Sequence, residues 1–94
     1  MEIKRWFDYA TTELALQHKE ACEKSIKKQR CIKVFSGYYY YKGYSISRSG
    51  TKPYEWNWKT LGDVYTMPEY TKSACIEAID MMLNRSNYYA EVTI

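Results

Sequence analysis

Apolar and polar residues alternate along residues 44–59 of this chain. Tyr44, Ile46 and Arg48 share one parity, and Ser45 and Ser47 the other. Further on, Tyr54, Trp56 and Trp58 alternate with Glu55, Asn57 and Lys59. Side chains alternate across a strand, so a period of two builds one apolar and one wet face. Between the two arms, Ser49 to Pro53 contains Gly50 and a proline, as a hairpin loop of moderate length does. A five-residue loop sets Arg48 opposite Tyr54, Ile46 opposite Trp56 and Tyr44 opposite Trp58. Such cross-strand pairs contribute roughly 0.2–1 kcal/mol each beyond alanine pairs.

The flanking segments follow other periods. From residue 3 to about 29, Ile3, Trp6, Phe7, Ala10 and Leu14 recur at steps of three and four, and Ala21, Cys22 and Ile26 extend the stripe. This predicts a long amphipathic helix, with Thr11 and Thr12 as the place where it can break in two. Cys31 to Phe35 reads as a short strand, and Ser36-Gly37 as a turn or bulge. Tyr38 to Tyr41 then form a run that no helical stripe explains. A strand there turns Tyr38 and Tyr40 to one side and Tyr39 and Tyr41 to the other, one side packing on a helix and the other left for solvent or a partner. Gly43 marks a bulge or a close backbone approach within a strand spanning 38–48. Leu61-Gly62-Asp63 reads as a turn, and residues 64–66 as a short strand that Met67-Pro68 ends. A second helix is expected from Lys72 to Leu83, capped by Thr71, with Ala74, Cys75 or Ile76, Ala78, Ile79, Met82 and Leu83 on its apolar side. The tail 88–94 alternates weakly, as an edge strand or a loose end.

The sum is an α+β fold in a single domain over 1–94. A three- to four-stranded antiparallel sheet (strands near 31–35, 38–48, 54–59 and 64–66) carries the long N-terminal and shorter C-terminal helix on one face. In that arrangement Tyr44, Ile46, Tyr54, Trp56 and Trp58 meet Trp6, Phe7, Leu14, Ile76, Ile79 and Leu83. Burial of each large side chain is worth roughly 1.5–3 kcal/mol, enough for a core in a chain of this size.

Composition narrows the function classes. With 46% apolar and 17% aromatic residues, the 94-residue chain is not of disordered type. No apolar run approaches the ~20 residues that span a bilayer. The start, Met-Glu-Ile-Lys-Arg-Trp-Phe-Asp, lacks the apolar core of a secretory leader. Three cysteines, Cys22, Cys31 and Cys75, are an odd number without Cys-x-x-Cys spacing, as expected of reduced thiols in a cytoplasm. The net charge of +3 is unevenly spread. Residues 19–33 hold six cations against two anions, and residues 61–94 two cations against five anions. One end is therefore basic and the other acidic, a field that steers association.

No pattern of residues carries a reaction. His18 is the only histidine, one turn before Cys22; two ligands make no closed metal site, and a thiol activated by His18 is the sole catalytic alternative. Glu77 and Asp80 lie on the wet side of the second helix, where a solvated pair is the ordinary reading. Phosphate-loop and Gly-x-Ser-x-Gly motifs are missing. The expectation is a non-enzyme without metal or cofactor. The basic stretch suits a macromolecular partner instead: Lys24, Lys27, Lys28, Arg30 and Lys33, with Tyr39, Tyr41 and Arg48 as aromatic and cationic anchors. The same cations would neutralise phosphates, and exposed tyrosines would stack on bases, so a nucleic-acid-binding regulator is the second reading.

Tyr41-Lys42-Gly43-Tyr44-Ser45-Ile46, then Glu55-Trp56, then the segment from Ser73-Ala74 through Ile79-Asp80 carry a resemblance. Over about residues 38–83 the chain resembles small phage- and prophage-encoded proteins with a Tyr-x-Gly-Tyr/Phe-x-Ile strand, a tryptophan-bearing strand and a following helix. The long N-terminal helix is not part of it. That resemblance implies a stoichiometric binder of host machinery, of the kind that includes anti-CRISPR and other anti-defence inhibitors. It implies action in the host cytoplasm on a host protein or nucleoprotein complex, and it supplies no site residue.

Overall fold

The computed structural model describes residues 5–9, 12–60 and 65–92. The elements are α1 (Trp6–Tyr9), α2 (Glu13–Lys28), β1 (Cys31–Phe35), β2 (Tyr38–Tyr41), β3 (Tyr44–Arg48), β4 (Trp56–Lys59), β5 (Thr66–Glu69) and α3 (Lys72–Val92). The strands form one antiparallel sheet in the order β1-β2-β3-β4-β5, each pairing with its neighbour in sequence. The fold is α+β, with five strands where the sequence predicts three or four. The difference arises at Lys42-Gly43. Both residues take positive φ (51° and 89°), and Tyr41 pairs with Tyr44 across them. This is the two-residue hairpin turn that matches strand twist, so the expected strand over 38–48 is two strands.

The N-terminal helix is also divided. Thr12 is extended, and its hydroxyl accepts from the Ala15 N–H at 3.2 Å, capping α2. Residues 3, 4, 10 and 11 of the expected helix lie outside the described residues, as do the predicted turn residues 61–63 with Val64. Helix α3 starts at its expected cap, the Ala74 N–H donating to Thr71 Oγ1 at 3.0 Å. It runs on to Val92, through the segment read as a strand or loose tail. Strand β5 includes Met67 and Pro68, which the sequence reading placed at its end; as an edge strand it tolerates a residue without an N–H.

The register shows that the helices do not share a face. Tyr40 pairs with Ile32 and Ser45, and Tyr39 with Lys33 and Ile46. Tyr40 is fully buried in a core with Phe7, Ala15, Ala21 and Cys22 under α1 and α2. Ile46 is fully buried in a second core with Trp58, Cys75 and Ile79 under α3. Neighbouring residues of a strand point to opposite sides, so α2 covers β1–β2 from one side and α3 covers β3–β5 from the other. The expected one-sided packing is thereby corrected. The four tyrosines explain it: Tyr38 and Tyr40 pack on the α2 side, Tyr39 and Tyr41 on the α3 side. A strand apolar on both faces has both faces covered.

The side of α2 that meets the sheet carries small residues: Ala15, Ala21, Cys22 and Ser25, with His18 among them. Large rings supplied by β2 fill the volume, so the helix comes close. Leu14 and Ile26 of the predicted stripe are about half exposed (51% and 52%), and Trp6 nearly so at 46%. The hairpin register differs as well. Ile46 pairs with Trp58 and Arg48 with Trp56. The loop is two residues longer than expected and closes with the Gly50 N–H donating to Glu55 O at 3.0 Å. Tyr54 leaves the ladder and stacks on Tyr70, ring centroids 4.6 Å apart.

Candidate macromolecular interface

Lys24, Lys27 and Lys28 project from the last turns of α2, where the negative end of the helix dipole favours cations. Gln29 ends the helix in the left-handed conformation (φ 53°), and its side-chain amide donates to Ile26 O at 2.6 Å. The chain then turns through Arg30 into β1, the outermost strand on that side of the sheet. Lys33 lies at the middle of β1, opposite Tyr39. All five cations are exposed. Among the described residues, none of the five is in an ion pair. Their support is firm: Ser25, buried beneath this turn, donates its hydroxyl to Cys22 O at 2.6 Å and accepts the Gly43 N–H at 2.9 Å.

The tyrosines expected to stand beside these cations are otherwise engaged. Tyr39 is half-buried, next to Trp56, with Lys72 Nζ 4.2 Å from its ring centre. The half-buried Tyr41 donates its hydroxyl to Asp80. Both are half-buried, with Lys72 over the Tyr39 ring and Lys42 Nζ 5.1 Å from the Tyr41 ring centre, which corrects the expected exposed aromatic surface. Arg48 is exposed but lies at the other end of the sheet. It pairs with Glu55 at 3.1 Å, whereas the α2 terminus adjoins the end holding Cys31 and Tyr41. Of the eight residues singled out in the sequence, the five cations from Lys24 to Lys33 are exposed along the end of α2 and β1, Lys33 on the α3 side of the sheet, and the other three are engaged elsewhere.

Lys72, the first residue of α3, joins Lys33 as a second cation beside Tyr39. No local sequence signal linked residues 33 and 72; only the sheet brings them near. Lys42, by contrast, is held by Asp80 at 2.8 Å. Between α2 and β1 lies a groove of about 160 Å³, lined by Gln17, Glu20, Ala21 and Lys24 of α2 and by Ile32, Lys33 and Val34 of β1. A separate hollow of about 360 Å³ between α3 and β4–β5 is lined mainly by Trp58, Met67, Ala78, Met81 and Met82.

His18 and Cys22 serve the interior. His18 is buried, its Nδ1 sharing a hydrogen bond of 2.9 Å with the Tyr40 hydroxyl. The rings of Trp6, Phe35, Tyr38 and Tyr40 enclose it edge-on. Burial, and secondarily the Arg5 charge, lower its pKa below the ordinary 6.5. Cys22 Sγ lies 3.6 Å from Gly43 O and 3.5 Å from the Arg5 guanidinium, which itself donates to Gly43 O. Among the described residues, no group of three or more His, Cys, Asp or Glu side chains is placed to hold a metal ion. Nor is any described helix long and apolar enough to cross a membrane.

No protein-family model, curated protein or solved structure matches this chain.

Proposed function

We propose that this chain is a non-catalytic binding protein that blocks or modulates a host macromolecular complex by docking its basic corner on an acidic surface of that complex. The supporting observation is the run of exposed cations Lys24, Lys27, Lys28, Arg30 and Lys33 along the end of α2 and the β1 edge, none ion-paired among the described residues. Cations without internal partners keep their field available for a partner of opposite sign and accelerate its approach. The resemblance to phage-encoded inhibitors favours a host complex as the target. A nucleic-acid regulator would use the same cations on phosphates. It is the weaker reading, because Tyr39 and Tyr41 are half-buried with a cation already over each ring.

The test is affinity purification from host lysate, with and without nuclease, using the wild-type chain and a Lys27→Glu/Lys28→Glu variant. The expected result is a protein complex that survives nuclease and is lost from the variant. Equal recovery by both chains, or recovery of nucleic acid alone, overturns the proposal.

A further inference from the structure

The two edges of the sheet are unlike. On β5, Pro68 lacks the N–H an added strand would need, so that edge is blunted. On β1, Cys-Ile-Lys-Val-Phe carries no proline. The register says which peptide groups face outward there. Tyr41 and Tyr44 close the two-residue turn, so their peptide groups, and those of Tyr39, bond toward β3. Tyr40 therefore bonds toward β1 and its partner Ile32, which leaves the peptide groups of Cys31 and Lys33 directed at the open edge.

The side chains around that edge are of two kinds. On the α2 side is the groove of about 160 Å³ floored by Ala21, Ile32 and Val34. A cavity of about 150 Å³ holds a benzene molecule, so this one has room for an aliphatic side chain. On the other side is Lys33, with Lys72 beyond it over Tyr39. Lys24 adds a cation at the groove, against the one anion Glu20. A second copy of the chain is a poor occupant. Antiparallel β1–β1 pairing centred on Lys33 would set Lys33 against Lys33 and line the seam with Lys24 of both copies. The lysine that discourages self-pairing selects a partner of opposite sign.

We propose that the β1 edge takes up an extended acidic segment of the protein partner as an additional antiparallel strand. An Asp or Glu of that segment stands opposite Lys33, and the apolar residues on either side of it enter the groove beneath α2. Main-chain bonds to Cys31 and Lys33 supply the affinity, and the apolar–acidic–apolar alternation supplies the specificity. This inference rests on the proposed docking of the basic corner and names the partner's chemistry there.

The experiment is selection of a displayed library of random short peptides on the wild-type chain and, separately, on a Lys33→Glu variant. The wild type is expected to enrich peptides with a central Asp or Glu flanked by Val, Ile, Leu or Thr and free of central proline. The variant is expected to replace that acid with Lys or Arg. The enriched peptide should slow hydrogen exchange at the Cys31 and Lys33 amides and leave β5 unchanged. Lys33→Pro, which removes an outward N–H and no ladder bond, should weaken it at least about tenfold, as loss of one or two hydrogen bonds does. The same enriched sequences on both chains, helical spacing of the enriched residues, or no enrichment at all overturns strand addition. Displacement of the peptide by a DNA duplex whose binding requires Lys33 assigns the edge to nucleic acid and overturns it as well. Retention of the wild type and the Lys27→Glu/Lys28→Glu variant on immobilised polyglutamate separates the two proposals. Wild-type retention lost in the variant supports the basic corner even if strand addition fails, and equal elution rejects the corner itself.

Discussion

The Tyr41 hydroxyl donates to both carboxylate oxygens of Asp80, at 2.8 and 3.0 Å, and so fastens β2 to α3. Lys42 Nζ completes the group at 2.8 Å from Asp80 Oδ1, having been placed there by the tight turn. The Lys42 bond is the main cause that holds the Asp80 carboxyl below its ordinary 3.8, with the Tyr41 bond adding to it. A lowered carboxylate pKa contributes stability that is complete above pH 3.8 and is lost as pH falls through the folded-state value. Asp80 is 37% exposed, so solvent screens the pair and its worth is about 0.2–1 kcal/mol. Asp80→Asn is expected to lower the unfolding free energy measured by urea titration at neutral pH by that amount. The difference from wild type should vanish in strong acid. A constant difference at all pH values would contradict this account.

His18 lies in a buried ring cage, so its charged form is disfavoured. Its pKa is lowered, because burial opposes the cation and Arg5 repels it. As pH falls through 6.5 the unfolded chain takes up a proton that the folded chain refuses. Stability should therefore be full above pH 6.5, decline below it, and level off once the folded-state pKa is passed. Chemical denaturation between pH 5 and 8 checks this. A His18→Phe variant should show a flatter curve over the same window, and an equally steep one would show that another group is responsible.

Gly43 is fixed by two independent constraints. Its φ of +89° suits glycine, and an added Cβ would lie 3.1 and 3.2 Å from Ile26 Cγ1 and Cδ1. Gly43→Ala should cost about 1–2 kcal/mol from the left-handed backbone alone, with more from the displaced Ile26 side chain. Combining it with Ile26→Ala should recover only the contact part. Thermal or urea melts of the single and double variants measure the split, and full rescue would mean that the backbone is not strained.

The three cysteines should differ in reactivity. Cys75 is fully buried, and burial pushes its thiol up to about 12. Cys22 is buried beneath the Lys42-Gly43 turn. Cys31 is half-buried and also raised, though the nearby Lys72 charge opposes the shift. Thiolate is the reactive form. Iodoacetamide should modify the native protein slowly and first at Cys31, with Cys22 and Cys75 following only in denaturant. Mass spectrometry after digestion reads the order, and early labelling of Cys75 would contradict the packing under α3.

Much of the sheet was legible because period two is a local property. Ile46, Trp56 and Trp58 do share a face, and Thr71 does cap its helix. The register was not legible, because Tyr54 fits the alternation of β4 yet stacks on Tyr70, a partner that only the fold supplies. Four aromatic residues in a row were the sign of a strand covered on both sides. Both alternate pairs are covered, Tyr38 and Tyr40 by α2 and Tyr39 and Tyr41 by α3, so none of the four is a free anchor. Of the interface, the cations close in sequence were legible and remain together. Lys72 was not, since only strand pairing and the start of α3 bring it to Tyr39.

The neighbour-to-neighbour order of the strands bears on how the protein forms. Each ladder joins segments separated by a short connection, so little chain entropy is lost before pairing begins. Among the described residues, one interior is built from residues before Lys42, and the other from residues after Gly43 joined by Tyr39 and Tyr41. Refolding should accordingly be quick, and the Lys42-Gly43 corner is where the two halves must meet in step.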